Sequence, residues 1–150
     1  MLRRPLSRPA EIAGLLFEVE AVAERTAWMG VKLGRHTELV NLARRSLAEL
    51  TAVHDSLERN CTKAHDESLP FELVRSRGQA HVLDLRSGDE AQFDRTYLYG
   101  VMALHAELAE LLDTQVTPHN AVEEAKERDR LRGTLLAQQQ RAQDLLDALE

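Results

Sequence analysis

Residues 93–112, FDRTYLYGVMALHAELAELL, are the most informative part of the chain, because their apolar side chains recur at steps of three and four. This spacing puts the apolar side chains on one face of an α-helix. We expect the inward positions to be Phe93, Tyr97, Val101, Leu104, His105, Leu108, Leu111 and Leu112. His105 falls among these apolar residues, so the helix would carry an imidazole into the core.

The composition places the chain among helical globular domains. Its 150 residues suit one domain, with residues 1–9 as a flexible arm. Aromatic residues are scarce at 4%, while Leu, Ala, Glu and Arg dominate, which favours helix over sheet. We therefore expect an all-α fold.

Charge and cysteine content exclude several classes of function. The net charge of −6 argues against nucleic acid as a partner, because phosphate binding needs clustered positive charge. Cys61 is the only cysteine, so neither an intramolecular disulfide nor a CxxC zinc site can form. No run approaches the roughly 18 apolar residues of a membrane span, and no signal peptide is visible near Met1. The chain as given is expected in the cytoplasm; export is the alternative if a leader was removed.

The remaining periodicity predicts four long helices joined by short loops. Such helices commonly form an up-down four-helix bundle, and a short additional helix from Pro70 would lie in the crossover. We place a break between the first two helices at Gly34, with Thr37 capping the second. One long kinked helix is the alternative.

The second and last helices carry the other inward polar residues. The expected second stripe contains Val40, Ala43, Leu47, Leu50, His54, Leu57, Cys61 and Ala64. The expected last stripe contains Val122, Ala125, Leu131, Leu135, Gln138, Ala142, Leu145 and Leu149. Carboxylates are almost absent from these stripes, and we assign Glu20 to an outward face of the first helix.

His54, His105 and Gln138 therefore fall on the inner faces of three different helices. A buried polar group without a partner costs about 1–3 kcal/mol, so we expect these side chains to bond to something. One interpretation is a weak divalent metal site, with His54 and His105 as ligands and Gln138 and Tyr97 beside them. The other is a structural hydrogen-bond network.

Catalytic motifs are missing from the sequence. No histidine has a glutamate three residues before it, which argues against a di-iron carboxylate site. There is also no glycine-rich phosphate loop and no GxSxG motif. We expect a protein without enzymatic activity.

The pattern Phe93-Asp94-Arg95-x-Tyr97, with His105 twelve residues after the phenylalanine, resembles the ferritin-like domain-of-unknown-function family 4142. Leu69-Pro70 and His54 match further positions of that pattern. The resemblance implies a ferritin-like four-helix bundle, and family members commonly carry export signals.

The chain departs from the family pattern at two informative positions. Val53 stands where the family has an aspartate, and Gln138 ends the element that finishes on a histidine in the family. If the family's histidines bind metal, this chain keeps two of them, which implies a weak or vestigial site.

Three functional hypotheses follow. The first is a ferritin-like bundle of unknown activity with a polar His/Gln cluster that binds metal weakly or no longer binds it. The alternative is a helical interaction or self-association module, for instance a homodimer, that uses an outward face with Trp28 and Phe71. The third is a pH-sensitive core, since burial lowers the pKa of a histidine and its protonation would then favour unfolding.

Overall fold

A computed structural model describes residue 6 and residues 8–61, 69–116 and 121–149, without the side chains of residues 69–71 and 87. These residues form the helices α1 (Pro9–Leu33), α2 (Thr37–Asn60), α3 (Leu69–Ser87), α4 (Phe93–Gln115) and α5 (Val122–Leu149), with one 3-10 turn at Glu90–Gln92. The predicted all-α class is confirmed. Within the described ranges, no helix has the length and apolar character that crossing a membrane requires.

α1 is the central helix of the molecule. It contacts each of the other four helices, and α2, α5, α4 and α3 are neighbours in that order around it. Its buried residues lie on more than one face, as expected for a helix enclosed on several sides. They are Ile12, Ala13, Gly14, Leu15, Leu16, Val19, Glu20, Val22, Ala23, Thr26, Ala27, Met29 and Gly30.

Glycines mark three of the helix contacts. A β-carbon on Gly30 would lie 2.6 Å from Tyr97 Cζ, so the α1–α4 contact depends on its absence. Gly78 of α3 meets Val22 of α1 in the same way, at 2.8 Å. At the α3–α4 contact, a β-carbon on Gly100 would lie 2.0 Å from His81 Nε2. Small residues at these points let the helices approach closely.

The core has two apolar clusters, and one of them defines an end of the molecule. It combines residues from the ends of α1, α3 and α5 with residues from the starts of α2 and α4, and we call this the Phe93 end. The cluster contains Met29, Leu39, Ala43, Leu85, Phe93, Tyr97, Leu98, Val101, Ala142 and Leu146.

The predicted break between α1 and α2 is confirmed, but its predicted cap is wrong. Thr37 is the first residue of α2, and the preceding His36 makes no side-chain capping bond. The Asp94 carboxylate of α4 takes this role instead, because it accepts from the backbone N–H groups of Arg35 (2.8 Å) and His36 (2.7 Å). Asp94 of the F-D-R-x-Y pattern thus joins α4 to the start of α2.

Three further predictions are corrected or fall outside the described residues. The helix predicted as a short crossover is 19 residues long and packs along α1 and α4. Leu6, placed in the predicted flexible arm, is buried, and its N–H donates to Gln115 O at 2.6 Å. Thr117-Pro118 also predicts a cap and a first residue for the last helix, but these two residues and the side chain of Phe71 lie outside the described residues.

The inner face of α2 is rotated relative to the prediction. Val53 is buried, while the side chain of His54 is 36% exposed. Two serines, Ser46 and Ser56, are buried on this helix, and an apolar periodicity cannot detect them. The predicted inward position of His54 therefore holds only in part, because its side chain is half-exposed while its Nδ1 contacts the buried Glu20 of α1.

Candidate functional site

His54 lies at the α1–α2 contact, between two carboxylates. Its Nδ1 is 2.9 Å from Glu20 Oε1, and its Nε2 is 2.9 Å from Glu58 Oε1. Phe17 meets the imidazole edge to face, with ring centroids 5.8 Å apart. Glu20, which the sequence pattern assigns to an outward face, is fully buried. The spacing along α1 indicates this buried position, because residue 20 is separated by helical steps of three and four from the apolar residues 16, 23 and 27.

The surroundings of this pair favour retention of a proton. Burial, together with the charge of Glu24, raises the pKa of Glu20 from 4.5 to about 7, although His54 opposes the shift. Burial alone would lower the pKa of His54, but the charges and hydrogen bonds of Glu20 and Glu58 outweigh burial and raise it. The second oxygen of Glu20, Oε2, is buried without a hydrogen-bond partner among the described residues.

His105 is buried as predicted, and its partner is a backbone carbonyl. Its Nδ1–H donates to Leu135 O of α5 at 3.1 Å, and burial lowers its pKa to about 4. His81 of α3 is also buried, and burial lowers its pKa too. Neither ring nitrogen of His81 has a partner among the described residues.

Gln138 and Tyr97 also have separate surroundings. The Gln138 amide donates to Ser46 O at 3.3 Å and to Glu49 Oε1 at 3.2 Å, and Arg141 donates to the same carboxylate. Tyr97 is buried between Gly30 and the stacked ring of Phe93, and burial raises the pKa of its hydroxyl.

The four residues predicted to surround a metal thus have different contact partners. Within the described ranges, no hydrogen bond joins any two of His54, His105, Gln138 and Tyr97. The described residues also contain no group of three or more His, Cys, Asp or Glu side chains that could hold a metal ion.

A second buried carboxylate lies between α2 and α5. Glu127 Oε1 accepts from Ser56 Oγ at 2.6 Å and from Asn60 Nδ2 at 2.9 Å. Burial, followed by the charge and hydrogen bond of Glu124, raises the pKa of the nearby Cys61 thiol to about 12, which disfavours its thiolate form. Glu124 and Glu127 are both buried, which shows that the expectation of few inward carboxylates was wrong.

The Phe93 end carries an open cleft of about 430 Å³, a volume in the range of ligand sites. Leu85 and Phe93 are the buried apolar side chains among its lining residues, and Leu33 is 47% exposed. The lining comprises Lys32, Leu33, Arg35, Leu85, Arg86, Gly88, Asp89, Glu90 and Phe93.

Three of the residues that line the cleft are cations. Lys32, Arg35 and Arg86 form no ion pair with any described residue, whereas many other arginines pair with a carboxylate. Lys32 Nζ lies 5.5 Å from the centre of the Trp28 ring, which is 49% exposed beside the cleft. Of the two acidic residues in the lining, Asp89 accepts from Ala91 N–H.

Comparisons of the chain with protein-family models, characterised proteins and solved structures give no match. The geometry of the side chains is therefore the basis for any functional proposal.

Proposed function

We propose that this protein is a non-enzymatic helical bundle of the ferritin-like type and that it functions by binding a partner. The bundle type is supported by α1, α2, α5 and α4, which are successive neighbours and close a ring through the α1–α4 contact. In this proposal α3 is an addition that packs against α1 and α4. Membership of the family with the F-D-R-x-Y pattern belongs to the same proposal, and the tie from Asp94 to α2 gives that pattern a structural role.

The binding site of this proposal is the cleft at the Phe93 end. The observation that carries it is the set of three cations without ion-pair partners over an apolar floor, in a chain of net charge −6. Cations left unpaired beside apolar surface suit a partner that presents carboxylates next to apolar side chains, because charge complementarity speeds and orients association. The partner is therefore a protein segment that is acidic and apolar.

Metal binding by His54 and His105 has less support. His54 already contacts two carboxylates, and His105 donates to the backbone of α5. A metal ion would have to displace these bonds and draw together two residues that make separate contacts. The binding proposal requires no such rearrangement.

The fluorescence of Trp28 gives a direct test, because it is the only tryptophan and stacks with Lys32 of the cleft. The probe is a synthetic helical peptide with aspartates and leucines on one face and no similarity to this chain. We expect a saturable change in Trp28 emission that weakens as salt is added.

Matched variants locate the site. Arg35→Glu/Arg86→Glu should weaken peptide binding at least about tenfold. Arg25→Glu/Arg59→Glu changes the charge equally at exposed positions outside the cleft lining and should bind as the parent does. Absence of peptide binding, or equal binding by both variants, contradicts the proposal.

A further inference from the structure

We propose that the occupant of the cleft is the last part of α5 from a second copy of this chain, so that the protein pairs as a two-fold dimer through its Phe93 end. This inference rests on the proposed function, because it uses the same cleft. It adds the identity of the partner and the symmetry of the complex.

The end of α5 has the chemistry that the cleft requires. Asp144 and Asp147 are exposed there, and Leu149 is 38% exposed. The last turn contains no basic residue, although the negative end of a helix dipole favours cations. We call residues 144–149 the α5 tip.

Among the described residues, the aspartates of the α5 tip are not paired with cations. Asp144 accepts from Gln140, and Asp147 accepts from Gln143, both through neutral amides one turn earlier. Neither aspartate forms an ion pair with a described residue. The molecule thus presents unpaired anions on the α5 tip and unpaired cations in the cleft.

Both surfaces are at the same end of the molecule. Leu146, within the α5 tip, belongs to the same apolar cluster as Leu85 and Phe93 of the cleft. A two-fold axis through this end would place each tip against the other copy's cleft, so the contact would form twice. Self-complementary surfaces of this kind are the usual basis of two-fold dimers.

Exposed apolar side chains would add to the contact. Leu33 lines the cleft and Trp28 stacks with Lys32 beside it, and the two are 47% and 49% exposed. Together with Leu149 they could form an apolar centre surrounded by the charged residues, as is common in protein interfaces.

The test is sedimentation velocity over a wide range of protein concentration. The parent protein should show a monomer–dimer equilibrium. Arg35→Glu/Arg86→Glu and Asp144→Lys/Asp147→Lys should each weaken dimerisation at least about tenfold, because like charges would then face each other. Circular dichroism checks that both variants fold; all four positions are exposed.

The decisive arm is a mixture of the two variants. In a mixed dimer, the acidic tip of one variant meets the basic cleft of the other, and the basic tip meets the acidic cleft. Both contacts are then complementary, so the mixture should dimerise although each variant alone does not. A mixture that stays monomeric overturns the inference.

The remaining outcomes separate this inference from the proposed function. A parent protein that is monomeric but binds the acidic peptide through the cleft overturns the dimer and leaves the proposed function standing. A parent protein that dimerises equally well in both charge variants also overturns the inference, because its interface lies elsewhere. Failure to bind the peptide together with a monomeric state overturns both.

Discussion

Among single residues, Glu20 has unusual surroundings, because its carboxylate is fully buried and contacts the half-exposed His54. The pKa values of both side chains are raised, so the folded protein keeps protons at a pH where the unfolded chain releases them. The stabilisation that depends on the Glu20 proton is therefore lost as the pH rises through about 7.

Glu20→Gln tests this dependence, since glutamine can accept from His54 and cannot lose a proton. Between pH 4.5 and pH 7, the free energy of unfolding of the parent should fall by up to about 3 kcal/mol more than that of the variant. Chemical denaturation at several pH values measures it, with exposed Glu38→Gln as the control. Parallel profiles for the parent and Glu20→Gln would rule out this role for Glu20.

His105 should have the opposite pH dependence. Burial lowers its pKa from 6.5 to about 4, so the unfolded chain takes up a proton that the folded protein refuses. The stability contributed by neutral His105 is present above pH 6.5 and is lost as the pH falls towards 4.

His105→Gln should be less stable than the parent near neutral pH by about 1–3 kcal/mol, through the altered bond to Leu135 and poorer packing. Its free energy of unfolding should also fall less steeply below pH 6.5. His36→Gln, at an exposed position, is the control in the same denaturation series. An unchanged acid slope in His105→Gln would assign the acid sensitivity to other groups.

Burial could be predicted from the sequence for some of these residues. For the others the prediction was wrong, for a physical reason. Burial of His105 and Gln138 followed from their positions among leucines. His54 occupies an apolar step of α2 as well, but buried serines shift the inner face towards Val53. Glu20 and Glu127 follow helical steps too, yet a charge is assigned outward unless its buried partners are known. Those partners, His54 and Ser56, come from other helices.

Among the elements, the α3–α4 contact depends on one glycine. A β-carbon added to Gly100 would have no room beside His81. A β-carbon added to Gly133 of α5 would have no atom within 4 Å. Alanine substitution at Gly133 therefore measures helix propensity, whereas alanine substitution at Gly100 measures the packing of α3 against α4.

Gly133→Ala should stabilise the protein by about 0.5–1 kcal/mol, the usual gain in an exposed helix. Gly100→Ala should destabilise it by about 1–3 kcal/mol, because the methyl group must displace the imidazole of His81 or separate the helices. Thermal unfolding of both variants checks the signs. Stabilisation by Gly100→Ala would show that His81 moves away easily.

Asp94 holds the start of α2 against α4. Asp94→Ala removes the acceptor of two backbone N–H groups and should lower the free energy of unfolding by about 1–2 kcal/mol. Asp55→Ala, at an exposed position within α2, should change it much less. Equal effects in urea denaturation would argue against the capping role.

Helix number and the break at Gly34 could be predicted because they depend on local signals. The cap could not, since its acceptor on Asp94 is 58 and 59 residues away in sequence from the N–H groups that it satisfies. The centrality of α1 was also missed. Its apolar and small residues predict an amphipathic helix, and only the packing of four neighbours shows why so many of them are buried.

In the whole molecule, the Phe93 end brings together charged side chains that form no ion pair with a described residue. Three cations of the cleft and two aspartates of the α5 tip remain without ion pairs there. No sequence pattern predicted this end, because the cleft is built from separated parts of the chain, between residues 32 and 93. The charged side chains of the cleft come together only when the chain folds.

Binding at this cleft can be followed through the amide chemical shifts of isotope-labelled protein during titration with the acidic, apolar peptide. We predict that the largest shifts cluster at residues 28–36 and 85–93, around the cleft lining. Large shifts confined to the surroundings of Glu20 and His54, or no shifts at saturating peptide, would contradict binding at the cleft.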